Sequence, residues 1–124
     1  MKIQESAENY LETILVLSKQ HPQVRSIDIA TELGFSKPSV SVAMKNLREN
    51  GYIIMNEHGH ISLTDSGYQI ANTIYERHTL LCNWLEHIGV SKEIAEQDAC
   101  KIEHDLSEET YEAIKKYFSS VSHN

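Results

Sequence analysis

The chain has 124 residues, 40% hydrophobic content and a formal net charge of −7, enough for one domain or two small subdomains. No apolar run approaches the ~18 residues that span a bilayer, and no secretory segment is visible, so we expect no membrane association. The two cysteines show neither disulfide-framework nor metal-knuckle spacing, which indicates a reducing, cytoplasmic setting. The negative charge disfavours DNA binding unless cations are concentrated on one surface.

The N-terminal part of the chain predicts three helices. An apolar stripe with helical spacing predicts the first over residues 3–19. Ser26 is suited to cap a short second helix, which Gly34 would end. Ser36 is suited to cap a third helix running to about Asn50. The lengths and caps are typical of a helix-turn-helix, whose second helix enters the major groove of DNA.

Two short strands and three further helices follow. Residues 52–55 and 60–63 are typical of strands around a hairpin tip, which would form the wing of a winged helix-turn-helix. Thr64 caps a long helix to about His87, and later helices start at Ser91 and Ser107. The last helix is expected to end near Phe118, with residues 119–124 frayed.

The third helix carries the candidate DNA contacts. Val40, Met44 and Leu47 share one side and would pack inward, which leaves small polar and cationic groups for bases and phosphates. These candidates are Ser36, Lys37, Ser39, Ser41, Val42 and Lys45. The same element order also serves assembly in some proteins, and buried Ser39, Ser41 and Lys45 would indicate that role. His58 and His60 near the wing tip could touch phosphate, although solvated loop histidines are commoner.

Metal-ligating residue types cluster on three predicted helices. Cys100, Glu103 and His104 have i, i+3, i+4 spacing and share a helix face. We expect this face to lie roughly opposite an apolar stripe of Ile94, Ala95, Ala99 and Ile102. Asn9 and Glu12 lie on an acidic side of the first helix, and two acidic faces would not pack together without a cation. The candidate ligands are Asn9, Glu12, His78, Cys100, Glu103 and His104.

Two other interpretations use the same residues. His78 falls on the apolar stripe of the long helix, where a lone histidine is more often a hydrogen-bonded core residue. Carboxylate-histidine sites on helices also hold catalytic metals. No nucleophile motif, glycine-rich phosphate loop or substrate domain is visible, so we expect no enzyme and no organic small-molecule substrate.

The order of elements and several short segments resemble the DtxR/MntR family of metal-dependent transcriptional repressors. The matching segments are Glu8-Asn9-Tyr10-Leu11-Glu12, 26–51, Leu63-Thr64-x-x-Gly67, Arg77-His78, Ile88-Gly89-Val90 and Ala99-Cys100-x-x-Glu103-His104-Asp105-Leu106-Ser107. The resemblance covers nearly the whole chain. It implies a mainly α fold, with a winged helix-turn-helix DNA-binding domain over residues 1–70. An α-helical dimerisation and metal-binding domain would occupy residues 71–124, and the first helix would also contribute to the metal site.

The resemblance also implies a function. A homodimer loaded with Fe(II) or Mn(II), one or two ions per subunit, would bind a palindromic operator and control metal-uptake genes. The family's ligand positions fall on the six candidates above, with departures at two of them. Asn9 stands where manganese-type members have an acid and iron-type members a methionine, whereas Cys100 resembles the iron type. The alternative function is a winged-helix transcription regulator without metal control.

Overall fold

The computed structural model describes residues 5–121 and divides into two compact units, Met1–Thr73 and Ile74–Asn124. The fold is mainly α-helical, as the sequence predicts. Its elements are α1 Glu5–Gln20, α2 Ser26–Leu33, α3 Lys37–Glu49, β1 Ile53–Met55, β2 Ile61–Leu63, α4 Asp65–His87, α5 Lys92–Asp105 and α6 Glu108–Val121. Among these helices, none combines the length and apolar character required to cross a bilayer.

The first unit begins its helix-turn-helix one residue earlier than predicted. Arg25, with extended backbone, is the N-cap of α2, and its N–H donates to Asp28 Oδ2 at 2.9 Å. Ser26 is therefore the first helical residue rather than the cap. Gly34 ends α2 in the left-handed region at φ 70, a conformation that glycine adopts without steric cost. Ser36 caps α3 as predicted, accepting from the Ser39 N–H at 3.3 Å.

Apolar side chains from α1, α2, α3 and both strands form the core of this unit. α3 contributes Val40, Met44 and Leu47, all at least 96% buried, as its spacing predicts. The strands form a two-stranded antiparallel sheet, with Ile54 opposite Ser62. Pairs of strands this short are not stable alone. Ile53 and Ile61 are buried and fix the wing to the helices.

The root of the wing meets the start of α4 at a close backbone approach. The Thr64 hydroxyl donates to the Gly51 carbonyl at 2.7 Å and accepts from the Gly67 N–H at 3.2 Å, so Thr64 caps α4 as predicted. A Cβ atom at Gly67 would overlap the Tyr52 carbonyl oxygen. Glycine is therefore required here by space, since Gly67 has no left-handed backbone.

The second unit is a three-helix arrangement of the later part of α4 with α5 and α6. Leu81, Cys82 and Ala99 form its buried centre, and Trp84, Ile102 and Leu106 pack against them. Ser91 and Ser107 accept hydrogen bonds from backbone N–H groups at the starts of α5 and α6, as predicted. α6 continues to Val121, three residues past the predicted end at Phe118. The predicted fraying of 119–121 is therefore wrong, and 122–124 lie outside the described residues.

Candidate metal centre and nucleic-acid interface

The ligand-bearing face of α5 is partly buried, which corrects the prediction from its helical wheel. Ala95, Ala99 and Glu103 are each 0% exposed and lie at i, i+4 and i+8, so they form one buried stripe. Glu103 is thus part of the inward face and does not lie opposite it. Ile94, assigned to the apolar stripe, is 45% exposed. At 3.6 residues per turn Glu103 lies only about 40° from Ala99 around the helix. It was predicted on the opposite side because a carboxylate was expected to face water.

Two histidines flank the buried Glu103 carboxylate. His78 Nδ1 on α4 lies 2.8 Å from Glu103 Oε2. His104 Nε2 lies 3.4 Å from Glu103 Oε1, and the His104 side chain is 2% exposed. Since a carboxylate oxygen accepts, the contact requires His78 to carry its proton on Nδ1. Three of the six predicted ligands therefore meet within the second unit.

Arg77, beside His78 on α4, holds the end of α5 in place. Its guanidinium donates to the Glu103 carbonyl at 3.1 Å and to the Leu106 carbonyl at 3.0 Å. It also stacks 4.9 Å from the centre of the Tyr111 ring and lies 3.6 Å from a Glu108 oxygen. No separate role for Arg77 was predicted from the sequence. The available signal was a cation within the apolar stripe between Ile74 and Leu81.

The two cysteines have different environments. Cys100 is exposed. Cys82 is buried, with 8% of its surface exposed, and its sulfur atom lies 3.5 Å from His78 Nε2. Burial is the main reason that the pKa of the Cys82 thiol rises to about 11, with a further contribution from the negative charge of Glu96. Cys82 therefore carries a proton at neutral pH, while Cys100 is accessible for ligation or chemical modification.

Asn9 and Glu12 lie on α1 in the first unit, and both are half-buried. The Asn9 carbonyl accepts from the Thr13 hydroxyl at 2.8 Å, a bond within the helix. Asn9 and Glu12 are about one helical turn apart on the same face of α1, as their spacing predicts.

The donors in the second unit fit a divalent cation. Glu103 is fully buried, and its Oε1 accepts no hydrogen bond from any residue in the described range. A buried carboxylate oxygen without a donor is costly unless a positive charge compensates it. Imidazole and carboxylate groups are ligands for Mn(II) and Fe(II), and the Cys100 sulfur on the same helix adds a softer donor. The residues present thus suit a transition-metal ion.

The outer face of α3 is available to a partner. The predicted contact residues Ser36, Lys37, Ser39, Ser41, Val42 and Lys45 are all exposed. Val42 is 60% exposed, so its side chain can reach a partner. The Ser36 and Ser39 hydroxyls bond to each other at 2.8 Å, so both are fixed at the helix start. Exposure of Ser39, Ser41 and Lys45 excludes the arrangement that would have indicated an assembly role.

Two family models match this chain, one in each part of the sequence. Residues 2–61 match the family described as iron dependent repressor, N-terminal DNA binding domain. Residues 64–124 match iron dependent repressor, metal binding and dimerisation domain. Together the two families cover almost the whole chain.

Curated relatives and solved structures point the same way. The transcriptional regulator MntR of Escherichia coli O6:H1 is 37% identical over 113 residues, covering 91% of this chain and 73% of the relative. The HTH-type transcriptional regulator MntR of Geobacillus kaustophilus is 34% identical over 102 residues, covering 82% of this chain and 72% of the relative. A manganese-dependent transcriptional repressor solved with manganese has a TM-score of 0.82 at 27% identity, over 91% of this chain and 52% of that one. The crystal structure of T. acidophilum IdeR has a TM-score of 0.76 at 29% identity, over 96% of this chain and 55% of that one. The chain spans about half the length of these two solved proteins.

Proposed function

This chain belongs to the DtxR/MntR family of metal-dependent transcriptional repressors, and on that premise we propose that it represses metal-uptake genes when loaded with Fe(II) or Mn(II). The active form would be a cytoplasmic homodimer on a palindromic operator, with one or two ions per subunit. We assign DNA binding to residues 1–70, and dimerisation with most of the metal site to residues 71–124. The protein acts by binding, and we propose no catalytic role.

The buried, incompletely hydrogen-bonded carboxylate of Glu103 is the observation that carries the metal proposal. Its Oε1 lacks a donor, and His78 and His104 lie beside it. We propose that Asn9, Glu12 and Cys100 complete the donor set, at the family's ligand positions. A bound cation would supply the positive charge that this carboxylate cluster lacks. Its loading would therefore favour an ordered arrangement of the helices that carry the ligands.

The chemical types of the donor atoms determine the expected order of affinity for metal ions. Thiolate and imidazole ligands favour Fe(II) over Mn(II), which ranks lowest in intrinsic affinity among the divalent ions of this series. Asn9 is a neutral ligand, so the set is less anionic than one with an acid at that position. We propose Fe(II) as the preferred activator, with Mn(II) second. Selection in the cell would then depend on coordination geometry and metal supply.

DNA recognition would use the exposed face of α3. Lys37 and Lys45 are positioned for phosphates, the Val42 side chain is suited to a thymine methyl group, and the serines make less selective hydrogen bonds. A homodimer would present two such helices about one helical turn of DNA apart, ~34 Å. The acidic net charge of −7 opposes DNA binding in general, so neutralisation of the acidic ligand cluster by metal would also assist it.

The test is an anaerobic calorimetric titration of the reduced, metal-free protein with Fe(II) and with Mn(II). DNA binding to fragments upstream of metal-uptake genes is measured with and without each ion. We expect saturable binding of micromolar affinity or tighter, weakened in Cys100→Ala, and DNA binding that requires the ion. DNA binding that is equal with and without metal would instead establish the alternative, a winged-helix regulator without metal control.

A further inference from the structure

The two ring nitrogens of His78 on α4 face different groups. His78 Nδ1 lies 2.8 Å from Glu103 Oε2, and His78 Nε2 lies 3.5 Å from the Cys82 sulfur. Glu103 and Cys82 are buried, whereas 29% of the His78 side chain is exposed, so an ion can reach the ring from solvent. The thiol and the imidazole that meet here are called the Cys82–His78 pair below.

Glu103 determines which nitrogen of His78 can bind a metal ion in this arrangement. An ionised carboxylate only accepts, so the proton of the neutral imidazole is on Nδ1 and the lone pair is on Nε2. Metal-ligating histidines commonly donate their other ring N–H to a carboxylate in this way, which orients the ring and makes the ligating nitrogen more basic. The nitrogen that is left to bind a metal is therefore the one beside Cys82.

The separation of the two donor atoms in the Cys82–His78 pair fits one tetrahedral ion. Thiolate sulfur binds zinc at about 2.3 Å and imidazole nitrogen at about 2.0–2.1 Å, so a tetrahedral angle places the donors about 3.5 Å apart. The observed distance between Cys82 Sγ and His78 Nε2 is 3.5 Å. In the metal-free chain the thiol donates a hydrogen bond across this gap. Zn(II) would replace the thiol proton, which is released to solvent, without any need for the two side chains to separate.

Cys100 on α5 is a second sulfur near this pair. Cys82 and Ala99 pack together in the centre of the unit, and Cys100 is the residue after Ala99. Burial is the largest cause that raises the pKa of the Cys82 thiol, and negative charges add to it, from Glu96, Glu103, Glu86 and Cys100. These groups therefore lie within electrostatic range of the Cys82 sulfur and favour a cation there. Two thiolates, one imidazole and a water molecule are a ligand set that zinc proteins use.

We propose that Cys82, His78 and Cys100 form a Zn(II) site that competes with the activating ion for the His78 imidazole. The regulatory consequence rests on the proposed function, in which His78 and Cys100 also serve the activating ion. A neutral imidazole has one lone pair, so His78 cannot bind both ions at once. Zinc on Nε2 keeps the Nδ1 proton directed at Glu103, and the activating set loses a ligand.

The chemistry of the donors separates the two kinds of ion. Sulfur donors favour Zn(II), whereas Mn(II) ranks lowest in intrinsic affinity and is suited to oxygen and nitrogen ligands. A buried thiol next to the shared histidine therefore gives zinc an alternative set of ligands that does not suit Mn(II). The protein would then respond to its activating ion only when little zinc is available.

The first test uses the full-length, reduced Cys100→Ala protein, in which Cys82 is the single cysteine. Co(II) replaces Zn(II) as a coloured probe, because it takes the same tetrahedral ligands and absorbs in the near ultraviolet when a thiolate binds it. We expect a Co(II)–thiolate band in Cys100→Ala that disappears when Zn(II) is added. The band should be missing from the double variant that also carries Cys82→Ser. A Cys100→Ala protein without a thiolate band at saturating Co(II) would overturn the proposal.

The second test measures Mn(II) affinity by calorimetry with and without an equimolar amount of Zn(II). Wild type is compared with Cys82→Ser and with Asn83→Ser, a control at the exposed neighbouring position on α4. In wild type and Asn83→Ser, zinc should weaken Mn(II) binding by more than the roughly 10-fold typical for loss of a merely supporting group. In Cys82→Ser the effect of zinc should be much smaller, while Mn(II) affinity without zinc stays at the wild-type value.

Equal suppression by zinc in Cys82→Ser would place zinc on the activating ligands and overturn the proposal. Unchanged Mn(II) affinity in zinc-loaded wild type would overturn the competition. Failure of zinc-free wild type to bind Mn(II) would instead remove the proposed function. In that case the Co(II)–thiolate band of Cys100→Ala would still establish the site at Cys82.

Discussion

His78 Nδ1 on α4 and Glu103 Oε2 on α5 are 2.8 Å apart, and the Glu103 side chain is fully buried. In the metal-free chain a proton on the imidazole therefore bridges the two helices. The second carboxylate oxygen accepts no hydrogen bond from the residues described here. Only one of the two carboxylate oxygens of Glu103 therefore has a hydrogen-bond donor. The other oxygen, Oε1, is the strongest indication of where a cation would bind.

Glu103→Gln should separate metal binding from folding. The amide retains the shape of the side chain and an oxygen that can accept from His78 Nδ1, but it removes a buried charge, so the metal-free variant should have a stability close to that of wild type. Metal affinity should fall by more than the roughly 10–100-fold typical for groups that only support a ligand. Calorimetric titration and thermal unfolding with and without Mn(II) measure both effects. Glu96→Gln, at an exposed position on the same helix, is the matched control. Retained Mn(II) affinity in Glu103→Gln would exclude Glu103 as a ligand.

Arg77→Lys should weaken the metal site indirectly. The lysine ammonium lacks the planar, multiple-donor geometry that bonds the Glu103 and Leu106 carbonyls and stacks on Tyr111. We expect the free energy of unfolding to fall by about 1–3 kcal/mol and Mn(II) affinity to fall roughly 10-fold. Chemical denaturation and calorimetry check the two quantities, with Arg48→Lys on exposed α3 as control. A stability loss with wild-type metal affinity would show that Arg77 does not position Glu103.

Lys45→Ala should weaken DNA binding without changing metal uptake. Lys45 is exposed on the face of α3 opposite its buried side, where a phosphate contact would release about one counterion. The slope of log affinity against log salt should therefore decrease by about 1. Fluorescence anisotropy with labelled duplex measures the slope, and Lys116→Ala on α6 removes an equal charge as control. An unaltered slope in Lys45→Ala would place the DNA contacts elsewhere.

Gly67→Ala should destabilise the first unit. The added Cβ would overlap the Tyr52 carbonyl oxygen, which also accepts from the Thr64 N–H at 3.0 Å, so the wing root must shift. Overpacking of this kind costs about 1–3 kcal/mol. Urea unfolding followed by circular dichroism measures the change. Ser62→Ala, exposed on β2, should stay within about 0.5 kcal/mol of wild type. Equal stability of both variants would mean that the close approach is readily relieved.

Iodoacetamide should alkylate Cys100 and leave Cys82 unmodified in the folded protein. Only the thiolate reacts, and Cys82 is buried with a pKa of about 11, whereas Cys100 is exposed. Since folding raises the Cys82 pKa from 9.0, the stability linked to this group is present below pH 9 and lost as pH rises toward 11. Peptide mass spectrometry identifies the labelled residue. Added Mn(II) should slow labelling of Cys100. An unchanged labelling rate would argue against Cys100 as a ligand.

Local sequence signals predicted most of the elements. Caps at Ser36, Thr64, Ser91 and Ser107 follow from side chains that satisfy free N–H groups at helix starts, and the structure confirms all four. For α2 the same rule predicted Ser26 as the cap, but the cap is Arg25, one residue earlier. There Asp28 reaches back to the N-cap N–H, so the cap position does not need a side chain that accepts.

The candidate site was harder to predict because burial depends on contacts that are distant in sequence. Spacing correctly grouped Glu103 with His104 on one helix, but a helical wheel could not show that Glu103 is fully buried beside His78. The role of Arg77 depends on backbone carbonyl groups at the end of α5, 26 and 29 positions later in the chain.

The composition of the buried face of α5 has a consequence for its dynamics. The fully buried residues of this face are Ala95, Ala99 and Glu103. Each alanine methyl contributes only about 0.8 kcal/mol on burial, and a carboxylate with one oxygen that lacks a hydrogen-bond donor opposes burial. A helix anchored this weakly should open locally more often than α3, whose inward face carries Val40, Met44 and Leu47. Amide hydrogens of α5 should therefore exchange quickly in metal-free protein and slow sharply on loading, so that the sensor helix itself reports the metal supply as a change in its own folding.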